Sequence, residues 1–522
     1  MRPAVRRRVL LPTTVALCAA LLVPPSPGAA DDTTTAARSA DLAADLDLLL
    51  ADPALAGAHA SVQVADAASG QVLYQRQEDT LMLPASTLKV ATAAAALQLL
   101  GPQHRFATEV RTAGRRTGAV LHGDLVLRGG GDPSLLASDL DALARNLAAA
   151  GIRQVTGRLL FDDSRYDSVP LGPGWAWDDQ PYYFSPQISA LTIAPDEEFD
   201  VGTVKVTLTP AAPGGSAGVT VTPAAALVRF TGHIATGPPG SAYTAEAVRK
   251  LGTNEISLSG SIPADHGPAE EWVTVDDPAA VTATVFAAAL RRYGVRIREP
   301  QRAEGPVSDG LVLARHDSAP LSDLLVPFLK LSNNGIAEHL VKEIGRVKSG
   351  EGSWRAGLEE VRRALPTGDL HGDRNQADGS GLSRYNLMSA RQFTALLTFA
   401  RRQPWYDAWY RALPVAGDPR RMVGGTLARR MQGTAAQGRV HAKTGSMSGV
   451  DALTGYAEDA NGRVLAFTVL VNNVAGAGPR PVIDRIAIRL AGGEGAAGAL
   501  TGPAPAPASG ARQWEDCPEG RC

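Results

Sequence analysis

The sequence predicts an α/β chain of the α+β kind: an antiparallel sheet built from both ends of the protein, covered by helices, and interrupted by β-rich inserted domains. Three observations carry this. Residues 59–64 and 72–77 alternate apolar and polar side chains around Ser69-Gly70, as a hairpin does. Residues 453–458 and 463–472 repeat the pattern around Asn461-Gly462, the strongest short hairpin signal. Between Lys89 and Ser332 lie 242 residues (90–331), far too many for a connecting loop.

Taken in order, residues 1–30 read as a secretory signal peptide. Arg2, Arg6, Arg7 and Arg8 precede an uncharged stretch from Val9 to Val23, and small residues follow at Gly28-Ala29-Ala30. Pro12, Thr13 and Thr14 interrupt a stretch already shorter than the roughly 20 apolar residues of a spanning helix. The expectation is a secreted, extracytoplasmic protein with no integral membrane segment after signal cleavage.

The main domain is expected in two parts, 31–104 and 292–492. In the first, 41–50 reads as an amphipathic helix. Ser86 follows Pro84, and 89–100 is almost wholly Ala, Leu, Val and Thr before Gly101-Pro102 stops it, the pattern of a buried helix. The region 105–291 is expected to be an inserted, β-rich unit, with short strands at 119–127, 158–161, 203–208 and 255–259 and a helical exception at 135–150. Residues 196–247, rich in Thr, Val, Gly and Pro, suggest a second insert nested in the first. In the second part, an apolar stretch at 324–331 precedes a helix through 336–344, and 479–490 reads as a terminal helix. Residues 493–522 form a Gly/Ala/Pro-rich tail.

The formal net charge is −2, from 51 Lys and Arg against 53 Asp and Glu, and signal cleavage would remove four arginines. No basic surface is implied, so nucleic acid is not an expected partner. Of three cysteines, Cys18 lies in the leader, while Cys517 and Cys522 stand close together in the tail, where an oxidising exterior could join them. No Cys/His spacing supports a metal site, and no cofactor is expected.

Three polar triplets carry the chemistry: Ser86-Thr87-Leu88-Lys89, Ser332-Asn333-Asn334 and Lys443-Thr444-Gly445. Lysine is scarce, at positions 89, 205, 250, 330, 342, 348 and 443 only, and Lys89 alone has a serine three residues before it. Arginine cannot act as a base, whereas a buried ammonium can lose its proton. Residues three apart share a helix face, so Lys89 can activate the Ser86 hydroxyl. Burial and a second cation, for which Lys443 is the candidate, would lower the Lys89 pKa. Ser332 could relay a proton and Asn334 offers both an amide donor and an acceptor, although Ser-Asn-Asn-Gly equally makes a turn or helix cap. Lys443 with Thr444 could bind a carboxylate and Gly445 leaves room for substrate beside a strand; a plain loop before a strand has the same look. The backbone N–H groups of Ser86 and Ser446 are the natural oxyanion hole.

In order and spacing these motifs resemble the low-molecular-mass class C penicillin-binding proteins, the D-alanyl-D-alanine carboxypeptidase/endopeptidase family. The long gap between the first two motifs separates that class from β-lactamases. Further segments share the likeness: Gly123 to Leu127 running into Gly129-Gly130-Gly131-Asp132-Pro133, Trp175 to Tyr183 leading to Ser189-Ala190-Leu191, and Asp378-Gly379-Ser380-Gly381-Leu382-Ser383-Arg384. The resemblance implies a serine DD-peptidase/β-lactamase-like domain. It implies Ser86 as acylated nucleophile, Lys89 as general base, Ser332 and Asn334 as second motif, and Lys443, Thr444 and Gly445 as third, with Ser446 where the family commonly has Thr. Substrates would be peptidoglycan stem peptides, β-lactam antibiotics would be covalent inhibitors, and the location would be the cell wall. A β-lactamase or esterase using the same nucleophile, and a non-catalytic cell-wall binding or sensing protein, are the competing readings. The run 378–384 is expected to support the cleft, the glycines at 129–131 to make a turn, and Trp175, Trp177, Tyr182 and Tyr183 to pack.

Overall fold

A computed structural model describes residues 41–307, 310–365, 375–475 and 478–492; the leader, the tail and all three cysteines lie outside them. The hairpins at the two ends of the chain do meet in one sheet. Its order is Val440–Met447, Val450–Glu458, Val464–Asn472, His59–Asp66, Val72–Arg76, and every neighbouring pair is antiparallel. The join between the ends is continuous, from His59 opposite Asn472 to Asp66 opposite Leu465. Gly462, with φ +79, and the Asp459 side chain, which accepts from Asn461 and Arg463 backbone N–H, make the second hairpin's turn.

Alternation along the strands divides the core in two. Ala466 and Leu470 face a layer containing the helices Lys89–Leu100, Leu321–Lys330, Asn334–Ser349, Ala390–Ala400 and Tyr406–Ala412. Leu465, Phe467, Val469 and Val471 face the opposite layer, where the helix over 41–50 and the helix Arg480–Leu490 supply Leu46, Leu49, Ile483 and Ile486. Lys89–Leu100 is buried from Lys89 through Leu97, as a helix apolar on all sides must be. Gly101 ends it with φ +86, its N–H donating to Leu97 O.

Two expectations change. The triplet Lys443-Thr444-Gly445 is not in a loop before the sheet; it lies in the edge strand Val440–Met447. The insert is also less purely β than its composition suggested. A second helix, Pro278–Arg292, packs with Ala137–Ala149 beside a five-stranded sheet ordered Pro300–Arg302, Leu159–Asp162, Leu125–Arg128, Ala107–Thr112, Leu311–Asp317. Asp277 caps that helix by accepting from Ala280 N–H, and Pro278 occupies its first turn. Because Leu311–Asp317 pairs with Ala107–Thr112, the insert's sheet runs beyond residue 291. Likewise Thr203–Thr209 pairs with both Gly218–Thr222 and Ala269–Thr274, carrying the nested layer past 247.

Candidate active site

The site is built around the turn Ala85–Leu88, a single 3-10 turn that feeds directly into the helix Lys89–Leu100. Ala85 holds φ +47, a conformation uncommon outside glycine, and this strain at the turn brings Ser86 out ahead of the helix. Lys89 is fully buried. Its Nζ lies 2.8 Å from Ser86 Oγ, 2.6 Å from Asn334 Oδ1 and 2.8 Å from the backbone oxygen of Ser380. Burial drives the ammonium down to about 7, while the carboxylates of Asp378 and Glu338 act in the opposite direction. The expected second cation is therefore not the main cause; removal from water is.

The second motif is a hinge between two helices. Leu321–Lys330 ends, Ser332 takes φ +60, and Asn333 caps Asn334–Ser349 by accepting from Ile336 N–H at 2.9 Å. The cap reading of this triplet thus holds at Asn333, while the side chain of its neighbour Asn334 meets Lys89. Asn334 presents Oδ1 to Lys89 because its Nδ2 donates to Phe184 O at 2.7 Å. Asn333 Nδ2 donates to Glu198 O, Phe199 O and Asp200 Oδ1 at 3.2, 2.9 and 3.1 Å. All four acceptors lie between residues 184 and 200, so the long stretch between the first two motifs returns to orient the second. Ser332 itself is half-buried.

The third motif meets the first through backbone. A Cβ on Gly445 would stand 2.7 Å from Pro84 O and 3.1 Å from Thr87 N, so the glycine lets the edge strand lie against the nucleophile turn. Lys443, fully buried, donates to Thr444 O at 2.8 Å, with Thr444 Oγ1 at 3.4 Å, and Thr444 Oγ1 donates to Thr426 Oγ1 at 2.9 Å. Ser446 Oγ accepts from Arg480 at 2.9 Å, and Arg480 is paired with Asp451 at 3.2 Å.

The run 378–384 does more than line the cleft. Asp378 is buried and accepts from Gly381 N, Ser383 N, Asn386 Nδ2 and Trp175 Nε1 at 2.6–2.9 Å. The turn it folds delivers the Ser380 carbonyl to Lys89. Sequence reasoning missed that carbonyl, because a backbone acceptor has no residue signature, and it left Trp175 as packing. Among the described residues no group of three His, Cys, Asp or Glu could hold a metal ion, and no helix is long and apolar enough to cross a membrane.

Known proteins resemble this chain in sequence and fold. The family model described as D-Ala-D-Ala carboxypeptidase 3 (S13) matches residues 42–492. A D-alanyl-D-alanine carboxypeptidase of Actinomadura sp. (strain R39) is 47% identical over 461 residues, covering 87% of this chain and 85% of that protein. D-alanyl-D-alanine carboxypeptidase DacB of Haemophilus influenzae is 29% identical over 410 residues, 77% of this chain and 83% of its own. The crystal structure of penicillin binding protein 4 (dacB) from H. influenzae superposes with a TM-score of 0.72 at 27% identity, covering 87% of this chain and 98% of that one. A second crystal structure of it, complexed with a β-lactam, gives 0.69 at 26% identity, covering 86% and 98%. With a family match spanning nearly the whole described chain and a relative at 47% identity, the chain belongs to the D-Ala-D-Ala carboxypeptidase 3 (S13) family, serine hydrolases of the low-molecular-mass class C penicillin-binding group.

Proposed function

We propose that this DD-peptidase works through an acyl-enzyme on Ser86, acting on peptidoglycan stem peptides outside the cytoplasm at the cell wall, and that β-lactams acylate the same oxygen. The observation that carries the reading is the buried Lys89 amine, 2.8 Å from Ser86 Oγ and held down to about 7. An ordinary lysine is neutral in about one molecule in three thousand at pH 7, whereas one near 7 is neutral in about half, which makes it a usable base.

Neutral Lys89 takes the Ser86 proton as Oγ attacks the carbonyl of the penultimate D-alanine. The tetrahedral oxygen, now negative, is received by the backbone N–H groups of Ser86 and Ser446. Lys443 and Thr444 receive the terminal carboxylate, with Gly445 keeping their strand against the nucleophile turn. Ser332 relays to the leaving amine the proton that Lys89 took, and D-alanine departs; water then attacks the ester, Lys89 takes its proton and returns it to Ser86 Oγ, and the acid product leaves. Asn334 holds the lysine in place throughout.

Incubation of the folded protein with a labelled penicillin, followed by peptide mapping, should place the adduct on Ser86; no stable adduct there would overturn the reading. A pH profile gives a second expectation. Because the base must be unprotonated, kcat/KM on a peptide ending in D-Ala-D-Ala should fall as pH drops through about 7. A flat profile from pH 5.5 to 8.5 would assign the proton acceptor elsewhere.

A further inference from the structure

Glu338 belongs to none of the three motifs, yet it is fully buried one helical turn beyond Asn334. Its carboxylate receives three N–H groups: Ser380 N at 2.8 Å on Oε1, and Gly379 N at 2.8 Å and Trp354 Nε1 at 2.7 Å on Oε2. All three partners are donors, so a carboxyl proton would find no acceptor among them, and the geometry selects the anion. Burial and the neighbouring Asp378 push the group above the usual carboxylate range, and the bonds from Ser380, Trp354 and Gly379 act against that and hold the charged form.

The 379–380 peptides are what Glu338 grips, and those peptides face the nucleophile helix on their other side. The Ser380 carbonyl accepts from Lys89 Nζ at 2.8 Å, and the Gly379 carbonyl accepts from Thr92 Oγ1 at 2.6 Å. Close approach is possible only because residue 379 is glycine: a Cβ there would stand 2.7 Å from Ala337 O. One helix therefore governs two of the three contacts of the lysine, directly through Asn334 and at one remove through Glu338. Other charges around the pair come from several elements. Asp378 lies on the turn and Lys342 on Glu338's own helix, where its Nζ sits 3.9 Å from the Trp354 ring centroid and 2.6 Å from Asp167.

We propose that Glu338 is a positioning residue for the reaction, fixing the Ser380 carbonyl against Lys89 and supplying the buried negative charge that keeps Lys89 basic enough to accept the Ser86 proton. This rests on Lys89 being the base, as set out above. Removing the charge leaves Lys89 opposed by burial with one fewer anion to support its protonated form, so its midpoint moves to lower pH.

The test is the second-order rate of acylation by a fluorescent penicillin, measured from pH 5 to 9. Glu338→Gln should move the acid limb down by about one pH unit and lower the plateau about tenfold. Glu338→Asp, which keeps the charge, should leave the limb at its wild-type midpoint. Trp354→Phe removes only one N–H donor to the carboxylate, so it should shift the limb in the same direction as Glu338→Gln by a smaller amount, and it stands in if that variant does not fold. A limb unmoved in Glu338→Gln, or in Trp354→Phe where it stands in, would overturn the inference, as would one that moves in Glu338→Asp. If instead Lys89→Met keeps wild-type acylation, the base assignment itself fails, a result distinct from either.

Discussion

Replacing Lys89 by methionine should lower acylation of Ser86 about a thousandfold or more while costing the protein no more than about 1 kcal/mol of stability at pH 6. The kinetic side follows from losing the base: positioned proton transfer contributes on the order of 10²–10⁴. The stability side follows from burial. The Lys89 pKa is lower in the folded protein, about 7 against the ordinary lysine value of 10.5, so between those pH values the unfolded chain binds more protons and stability rises with pH. Below pH 7 the folded protein bears the full cost of a buried ammonium, about 5 kcal/mol. Methionine fills much of the same volume without that cost, but leaves Asn334 Oδ1 and Ser380 O without their donor, at about 1–3 kcal/mol each. At pH 6 the balance runs from about −1 to about +3 kcal/mol in favour of the variant, and near pH 10 it turns against it. Denaturant melts at the two pH values, alongside fluorescent-penicillin kinetics, check both halves. Acylation within tenfold of wild type would remove Lys89 from the mechanism.

The features legible in the sequence were those written in local chemistry. Both hairpins announced themselves by alternation and a turn residue, and the nucleophile helix by an unbroken apolar run between Pro84 and Gly101. The edge strand Val440–Met447 escaped because its run Val-His-Ala-Lys-Thr-Gly-Ser-Met buries five of eight positions, four of them consecutive and Lys443 included, and so does not alternate. The helix Pro278–Arg292 had a readable start at Asp277-Pro278, overshadowed by strand-like neighbours. Glu338 lies in the helix expected through 336–344, but nothing in the sequence reading singled it out. Its spacing held a signal all the same: Asn334, Glu338 and Lys342 recur every four residues, a polar stripe on a helix buried from Gly335 to Gly345. The insert's carbonyls that orient Asn333 and Asn334 had no such trace, since long-range backbone acceptors are set by topology rather than residue type.

Gly381→Ala should be the most damaging single methyl group in this site, because it acts on the nucleophile turn and the lysine's acceptor together. Gly381 has φ +89, and an added Cβ would meet Ala85 O at 1.8 Å, Ala85 C at 2.4 Å and Ser86 N at 3.1 Å. Every one of these is backbone, so no side chain can swing aside. Ala85, at φ +47, has little freedom left to yield. Gly381 N–H is also fixed to Asp378 Oδ1 at 2.8 Å, which stops the turn from retreating without unmaking the hydrogen bonds that aim Ser380 O at Lys89. The expected loss is about 2–4 kcal/mol of stability, with acylation down about a hundredfold from misplacement of reacting groups by about 1 Å. Gly350→Ala isolates the backbone contribution. Gly350 ends Asn334–Ser349 with φ +77, but a Cβ there meets nothing within 4 Å, so it should cost about 1 kcal/mol and leave acylation unchanged. Equal acylation in the two variants would mean that contact between the 378–384 turn and the nucleophile turn is not what holds Ser86 in register with Lys89.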